Sequence, residues 1–115
     1  MLRSSTTTDG EREETMTEKL YAPIHPGEVL AKDFLEPLGI SAYRLARATG
    51  LTQTHLSQIL HGRRRITPAT GLRLSRALGL TPAYWITMQS EYDTRLEQQT
   101  HAEELGKVEV LVHVA

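Results

Sequence analysis

The chain has 115 residues, one Trp, one Phe and no cysteine, and a formal charge of −1. That is enough for one domain with a tail, and it excludes a disulfide framework and a thiolate nucleophile; the chain has no run of about 18 apolar residues, so no membrane span is expected. The charge is segregated: residues 37–90 hold seven arginines, no lysine and no Asp or Glu, so this block is +7 and the rest of the chain −8.

Residues 1–20, MLRSSTTTDGEREETMTEKL, are rich in Ser, Thr and Glu and are expected to be a flexible acidic tail, with Met16 available as an internal start. They lack the apolar core of a signal peptide, so a cytoplasmic location is expected, and the absence of cysteine fits it. Residues 21–105 form the expected domain. Tyr21 to Ile24 is extended because Pro23 moves Ala22 out of the helical region. Pro26 opens a first helix reaching about Leu35, with Val29, Leu30, Phe34 and Leu35 on its core face and Glu36, Pro37, Leu38 and Gly39 ending it. His25, just before it, reads as a cap or surface histidine.

Ser41 caps a second helix, whose Leu45, Ala46 and Thr49 share a face. Gly50 supplies the reversal. Thr52 caps a third helix with Leu56, Ile59 and Leu60 facing inward. His61 and Gly62 stop it, and Arg63, Arg64 and Arg65 follow in a loop. Thr67 and Pro68 start a fourth helix, with Leu72, Leu74, Ala77 and Leu78 as its apolar positions. Thr81 and Pro82 repeat that signal for a fifth helix reaching roughly Glu104. There Tyr84, Trp85, Met88, Tyr92 and Leu96 recur at helical spacing, as core and interface.

Residues 42–60 are thus two short helices about a tight turn. The outer face of the second is polar, uncharged and begins at the N-terminus, as reading base edges in a major groove requires. Thr52, Gln53, Thr54, Ser57 and Gln58 are the expected base readers, because Gln can bond an adenine edge through two atoms. Ser41, Arg44, His55, Arg63, Arg64 and Arg65 are the expected phosphate contacts. An ordinary αα-hairpin would also have a polar face, but the acid-free basic block around this one favours a polyanion partner. Arg73 and Arg76 are expected to be surface or ion-pair residues.

The series IHPGEVL, DFLEPLGIS, LARATGLTQTHLSQILHGRRRIT and ATGLRLSRALGLTPAYWITMQSEYD, spanning residues 23–97, resembles the HigA-type antitoxins, a branch of the Cro-like helix-turn-helix repressors. The resemblance implies an all-α, five-helix DNA-binding domain of the Cro/lambda-repressor type that works as a homodimer. It further implies repression of the chain's own operon and neutralisation of a HigB-type toxin, an mRNA-cleaving ribonuclease. A stand-alone regulator without a toxin, or a protein-interaction module on the same scaffold, are the alternatives.

Both ends lie outside the resemblance. In residues 106–115, four valines alternate with Glu109, Leu111 and His113, the period of a strand. A short C-terminal β-strand is therefore expected. Val108, Val110, Leu111, Val112 and Val114, with Tyr92 and Leu96, are the expected dimer or partner interface. A lone strand is not stable, so it would pair with the extended stretch near Ile24, with its twin across a dimer axis, or with a toxin. The twin is favoured, because it needs nothing outside this sequence. No catalytic set, metal-ligand spacing or phosphate loop is present, so no enzyme activity, cofactor, metal or small-molecule ligand is expected.

Overall fold

The computed structural model describes residues 22–113, and its regular structure is entirely helical. Helix α1, Pro26–Val29, runs without a break through a π-helical stretch, Leu30–Leu35, into α2, Glu36–Leu38. Helices α3, Ala42–Thr49, and α4, Gln53–Leu60, are the predicted pair. They are followed by α5, Pro68–Leu78, α6, Tyr84–Thr100, and a short α7, Ala102–Gly106. No helix among the described residues is long and apolar enough to cross a membrane.

Local chemistry explains most of these boundaries. The Ser41 Oγ accepts the Arg44 amide at 3.0 Å, and the Thr52 Oγ1 accepts that of His55 at 3.0 Å. Thr67 caps α5 in the same way, and Pro68 stands at its first position, where no N–H is needed. Gly50 ends α3 at φ 79°, a left-handed conformation open to glycine. His25 is the cap of α1, its Nδ1 accepting the Gly27 amide at 2.9 Å.

Two helix limits differ from expectation. The first helix continues past Leu35 to Leu38 because the backbone changes register ahead of Pro37. The Glu36 N–H donates to the Ala31 carbonyl, an i→i−5 bond, and this wider turn carries the helix into a residue that has no N–H to give. At the fifth helix Thr81 does not cap. Pro82 and Ala83 make a turn in which the Tyr84 N–H donates to the Thr81 carbonyl at 3.1 Å, and the helix starts at Tyr84. It breaks at His101, ahead of α7.

The core is Leu30, Leu35, Leu45, Ala46, Leu56, Ile59, Ile66, Leu74 and Trp85. Phe34 and Tyr84 meet the Trp85 ring edge-on, at centroid distances of 5.2 and 5.0 Å. On α5 the apolar pattern misleads. Leu72 is 49% exposed and Ala77 is also exposed, while Thr70, Gly71 and Ser75 are buried with Leu74. The inner face is narrow here. Gly71 lies against Ile86, Ile66 and Trp85, which leaves no room for a large side chain.

The C-terminal strand does not form among the described residues. The amides of Lys107 and Val108 turn back to the carbonyls of Glu104 and Leu105, finishing α7, and residues 109–113 are irregular. Nor is the segment buried: Val108, Val110, Leu111 and Val112 are 61–80% exposed. A strand needs the backbone of another strand, and the described part of this chain, helical almost throughout, presents none. Val114 and the acidic residues 1–20 lie outside the described residues, as does Tyr21 of the expected extended stretch.

Candidate nucleic-acid interface

The recognition helix α4 is held from inside by its apolar face and from both ends by its neighbours. Leu56 and Ile59 are fully buried. At the C-terminal end α1 crosses so closely that a Cβ on Gly27 would stand 1.7 Å from the Ile59 carbonyl oxygen. At the N-terminal end α3 is locked to the turn. The buried Thr49 hydroxyl donates to the Leu45 carbonyl at 2.8 Å and accepts the Leu51 amide at 3.3 Å. Arg73, reaching over from α5, donates to the Thr49 carbonyl at 2.7 Å. Arg73 thus satisfies a carbonyl at a helix C-terminus, a role that its expected place on the surface or in an ion pair did not include.

The outer face of α4 is as expected: Thr52, Gln53, Thr54 and Ser57 are exposed and Gln58 is half-buried. Gln58 is already engaged, since its Oε1 accepts from the Arg64 guanidinium at 3.1 Å. A base edge that bonds both atoms of the Gln58 amide must therefore displace or share Arg64. His55 is partly buried beside Arg64. Burial, reinforced by the Arg64 charge, lowers its pKa from the ordinary imidazole value, which favours the neutral ring in the free chain; its N–H can offer a phosphate a hydrogen bond.

The basic residues divide into two groups. Arg44, on α3, and Arg63, in the loop after α4, are exposed, and Arg64 is exposed apart from its bond to Gln58. The Ser41 hydroxyl, occupied as an acceptor in its cap, keeps its own O–H to donate. Arg65, by contrast, is ion-paired with Asp93 of α6. The Asp93 carboxyl is held below the usual carboxylate range by hydrogen bonds from Arg65 and Gln89 and by nearby positive charge, against the opposing effect of burial.

Gln89 and Asp93 have no place in the sequence-based set, yet they meet the basic loop directly. Gln89 is 2% exposed, and its Oε1 accepts the Ile66 amide at 2.8 Å. Its Nε2 donates to Asp93 Oδ1 at 2.9 Å. The signal was present in the sequence as Trp85, Gln89 and Asp93 at successive i, i+4 positions, one face of a helix carrying polar residues inward. Tyr92 lies beside them, its ring edge-on to that of His25 at 5.0 Å, whereas Leu96 is 43% exposed. Tyr92 is thus half-buried and engaged with His25 on one side, and Leu96 stands at the surface. No group of three or more His, Asp or Glu among the described residues is placed to hold a metal ion.

Comparison with known proteins agrees with this geometry. Residues 32–85 match the Helix-turn-helix family. Virulence-associated protein I of Dichelobacter nodosus is 40% identical over 66% of this chain and 70% of its own length. Antitoxin HigA-1 of Vibrio cholerae is 36% identical over 70% of this chain and 78% of its own. Among solved structures, the Pseudomonas aeruginosa antitoxin HigA with the higBA promoter superposes with a TM-score of 0.74 at 31% identity, covering 78% of this chain and 99% of that one. A helix pair of this construction, shared along nearly the whole length of an antitoxin solved on promoter DNA, places the chain in the HigA-type antitoxin family of helix-turn-helix proteins.

Proposed function

We propose that this chain is a sequence-specific DNA-binding repressor that acts in the cytoplasm, controls its own operon and serves as the antitoxin to a HigB-type toxin. One observation carries the reading: a polar, uncharged helix face, capped at its N-terminus by Thr52, stands within a 54-residue block that has seven arginines and no acid. Its relatives include an antitoxin and its solved neighbours a HigA on promoter DNA. Gln53, Thr54, Ser57 and Gln58 read bases; Arg44, Arg63 and Arg64 hold phosphates, with Ser41 and His55 donating hydrogen bonds. The work is binding rather than catalysis.

One helix reads too few base pairs to select a site in a genome, so the chain acts as a homodimer on half-sites about 34 Å apart. The exposed apolar side chains of Leu96, Val108, Val110, Leu111 and Val112 supply the intermolecular surface of that dimer.

Binding to a duplex from the chain's own promoter tests the reading. Gln58→Ala should relax preference at one position in each half-site, a loss of about 1–3 kcal/mol of discrimination. Arg63→Ala and Arg64→Ala should each flatten the slope of log K against log salt by roughly 1. Equal loss on all sequences would make Gln58 a backbone contact. The antitoxin half stands on co-purification with a small toxin encoded beside this gene and on relief of that toxin's growth arrest. Operator binding without either would leave a stand-alone regulator.

A further inference from the structure

The loop that follows the recognition helix carries three arginines, and the structure treats them unequally. Arg63 and Arg64 stand toward solvent and Gln58. Arg65 turns the other way, to Asp93 on α6. The next residue, Ile66, is buried, and its amide is taken by the side chain of Gln89, 23 positions along the chain. Gln89 then donates to the same carboxylate that holds Arg65. The loop is thus tied to α6 twice, at adjacent residues, through two side chains that are themselves joined.

We propose that Gln89 and Asp93 are positioning residues of the DNA-binding surface, and that Arg65 is a strut of that surface and not a phosphate contact. The proposal rests on the DNA-binding reading above. Each part has a physical reason. A buried side-chain amide whose two ends are both satisfied has one available orientation, so Gln89 sets where the Ile66 backbone lies. An arginine paired with a carboxylate brings little net charge to a phosphate. What the clamp fixes is the start of the loop's return path, and hence the height at which Arg63 and Arg64 stand beside α4. It also gives α6, the helix that leads to the exposed C-terminal segment, a direct mechanical connection to the DNA-reading face.

The test uses the full chain, the duplex that the unaltered protein selects from a random pool, and an unrelated duplex of equal length, over a series of salt concentrations. Arg65→Ala with Asp93→Ala in one chain keeps the net charge and removes one tie at the surface. Gln89→Leu removes the buried tie with no change of charge. Each should weaken binding to the selected duplex by up to about fivefold, the upper range of an exposed ion pair or of one net hydrogen bond, and lower its ratio over the unrelated duplex. The salt slope should stay that of the unaltered chain. Asp93→Ala alone should also weaken binding, although removal of a negative charge near DNA favours it.

A salt slope flattened by about one in the double variant would show Arg65 on a phosphate and overturn the proposal. So would unchanged or tighter binding by Asp93→Ala. If Gln89→Leu does not fold, Gln89→Glu, which keeps an acceptor for Ile66 but repels Asp93, takes its place and should weaken binding in the same way. Should the unaltered chain select no duplex at all, the DNA-binding reading falls and the positioning role with it. Hydrogen exchange at the Ile66 amide, faster in Gln89→Leu, would in that case still report the tether.

Discussion

In the α3–α4 pair, Leu45, Ala46, Leu56 and Ile59 are each at most 3% exposed; in the C-terminal segment, Val108, Val110, Leu111 and Val112 are each at least 61% exposed. The two stretches are similarly apolar in pattern. The first is closed locally: each helix has a capping hydroxyl, a turn residue suited to it, and a partner helix within a few residues of chain. The second has a strand's period but no second backbone to satisfy it. A helix completes its own main-chain hydrogen bonds and then needs only one face covered, whereas a strand needs a neighbour before it is anything. Periodicity therefore carries more information about helices than about strands.

The core side of this contrast breaks most sharply at Gly27. Gly27→Ala would put a Cβ into the Ile59 carbonyl, so α1 must move off the recognition helix. The expected loss is about 1–3 kcal/mol or more by denaturant unfolding. Operator affinity should fall with it, because the support of α4 shifts. Loss of stability with affinity intact would mean that α1 props the fold without setting the position of α4.

Next in size is Thr52→Ala, which removes the oxygen that accepts the His55 amide at the start of α4. It should cost about 1 kcal/mol of stability. Thr52→Asp should restore the cap, yet weaken operator binding by placing a carboxylate near the DNA. Restored binding with restored stability would show that Thr52 lies away from the DNA.

A subtler effect comes from His25. Burial lowers its pKa, against the opposing pull of Asp93 and Glu28, and its Nδ1 must be unprotonated to accept the Gly27 amide. A depressed imidazole pKa means that the unfolded chain binds the proton more readily. The His25 contribution is therefore complete above the ordinary value of about 6.5 and is lost as pH falls below it through the folded-state value. His25→Asn, which can cap without titrating, should flatten stability across that window. An unchanged pH profile would assign the acid loss to other groups.

The smallest effect on the folded domain, and the one that sharpens the comparison, is deletion of residues 107–115. Their described side chains are all exposed, so the stability of the domain should change by no more than about 0.5 kcal/mol. Mass in solution should nonetheless fall from dimer to monomer, and operator affinity with it. A truncated chain that remains dimeric and binds as before would assign the segment to toxin docking.

What the sequence by itself determined lies among features governed by neighbours in the chain, although Thr81 did not cap and Pro37 did not end the first helix. The caps at Ser41, Thr52 and Thr67, the reversal at Gly50, the inward faces of α3 and α4, the polar outer face and the acid-free basic block all depend on residues a few positions apart. The motifs around them were specific enough to identify the family. Only the tertiary structure decided the partners of side chains distant in sequence. It turned Arg65 from three apparently equal arginines to Asp93, buried Gln89 against the Ile66 amide, and sent Arg73 to a helix end 24 residues earlier. It buried Ile66, from what reads as a loop, and exposed Leu72, from what reads as a core position. The physical reason is the same in each case. Helical periodicity states which residues share a face, but which face meets another element, and how much room remains there, is set by the packing of α1 and α3 on the recognition helix and of α5 and α6 behind them.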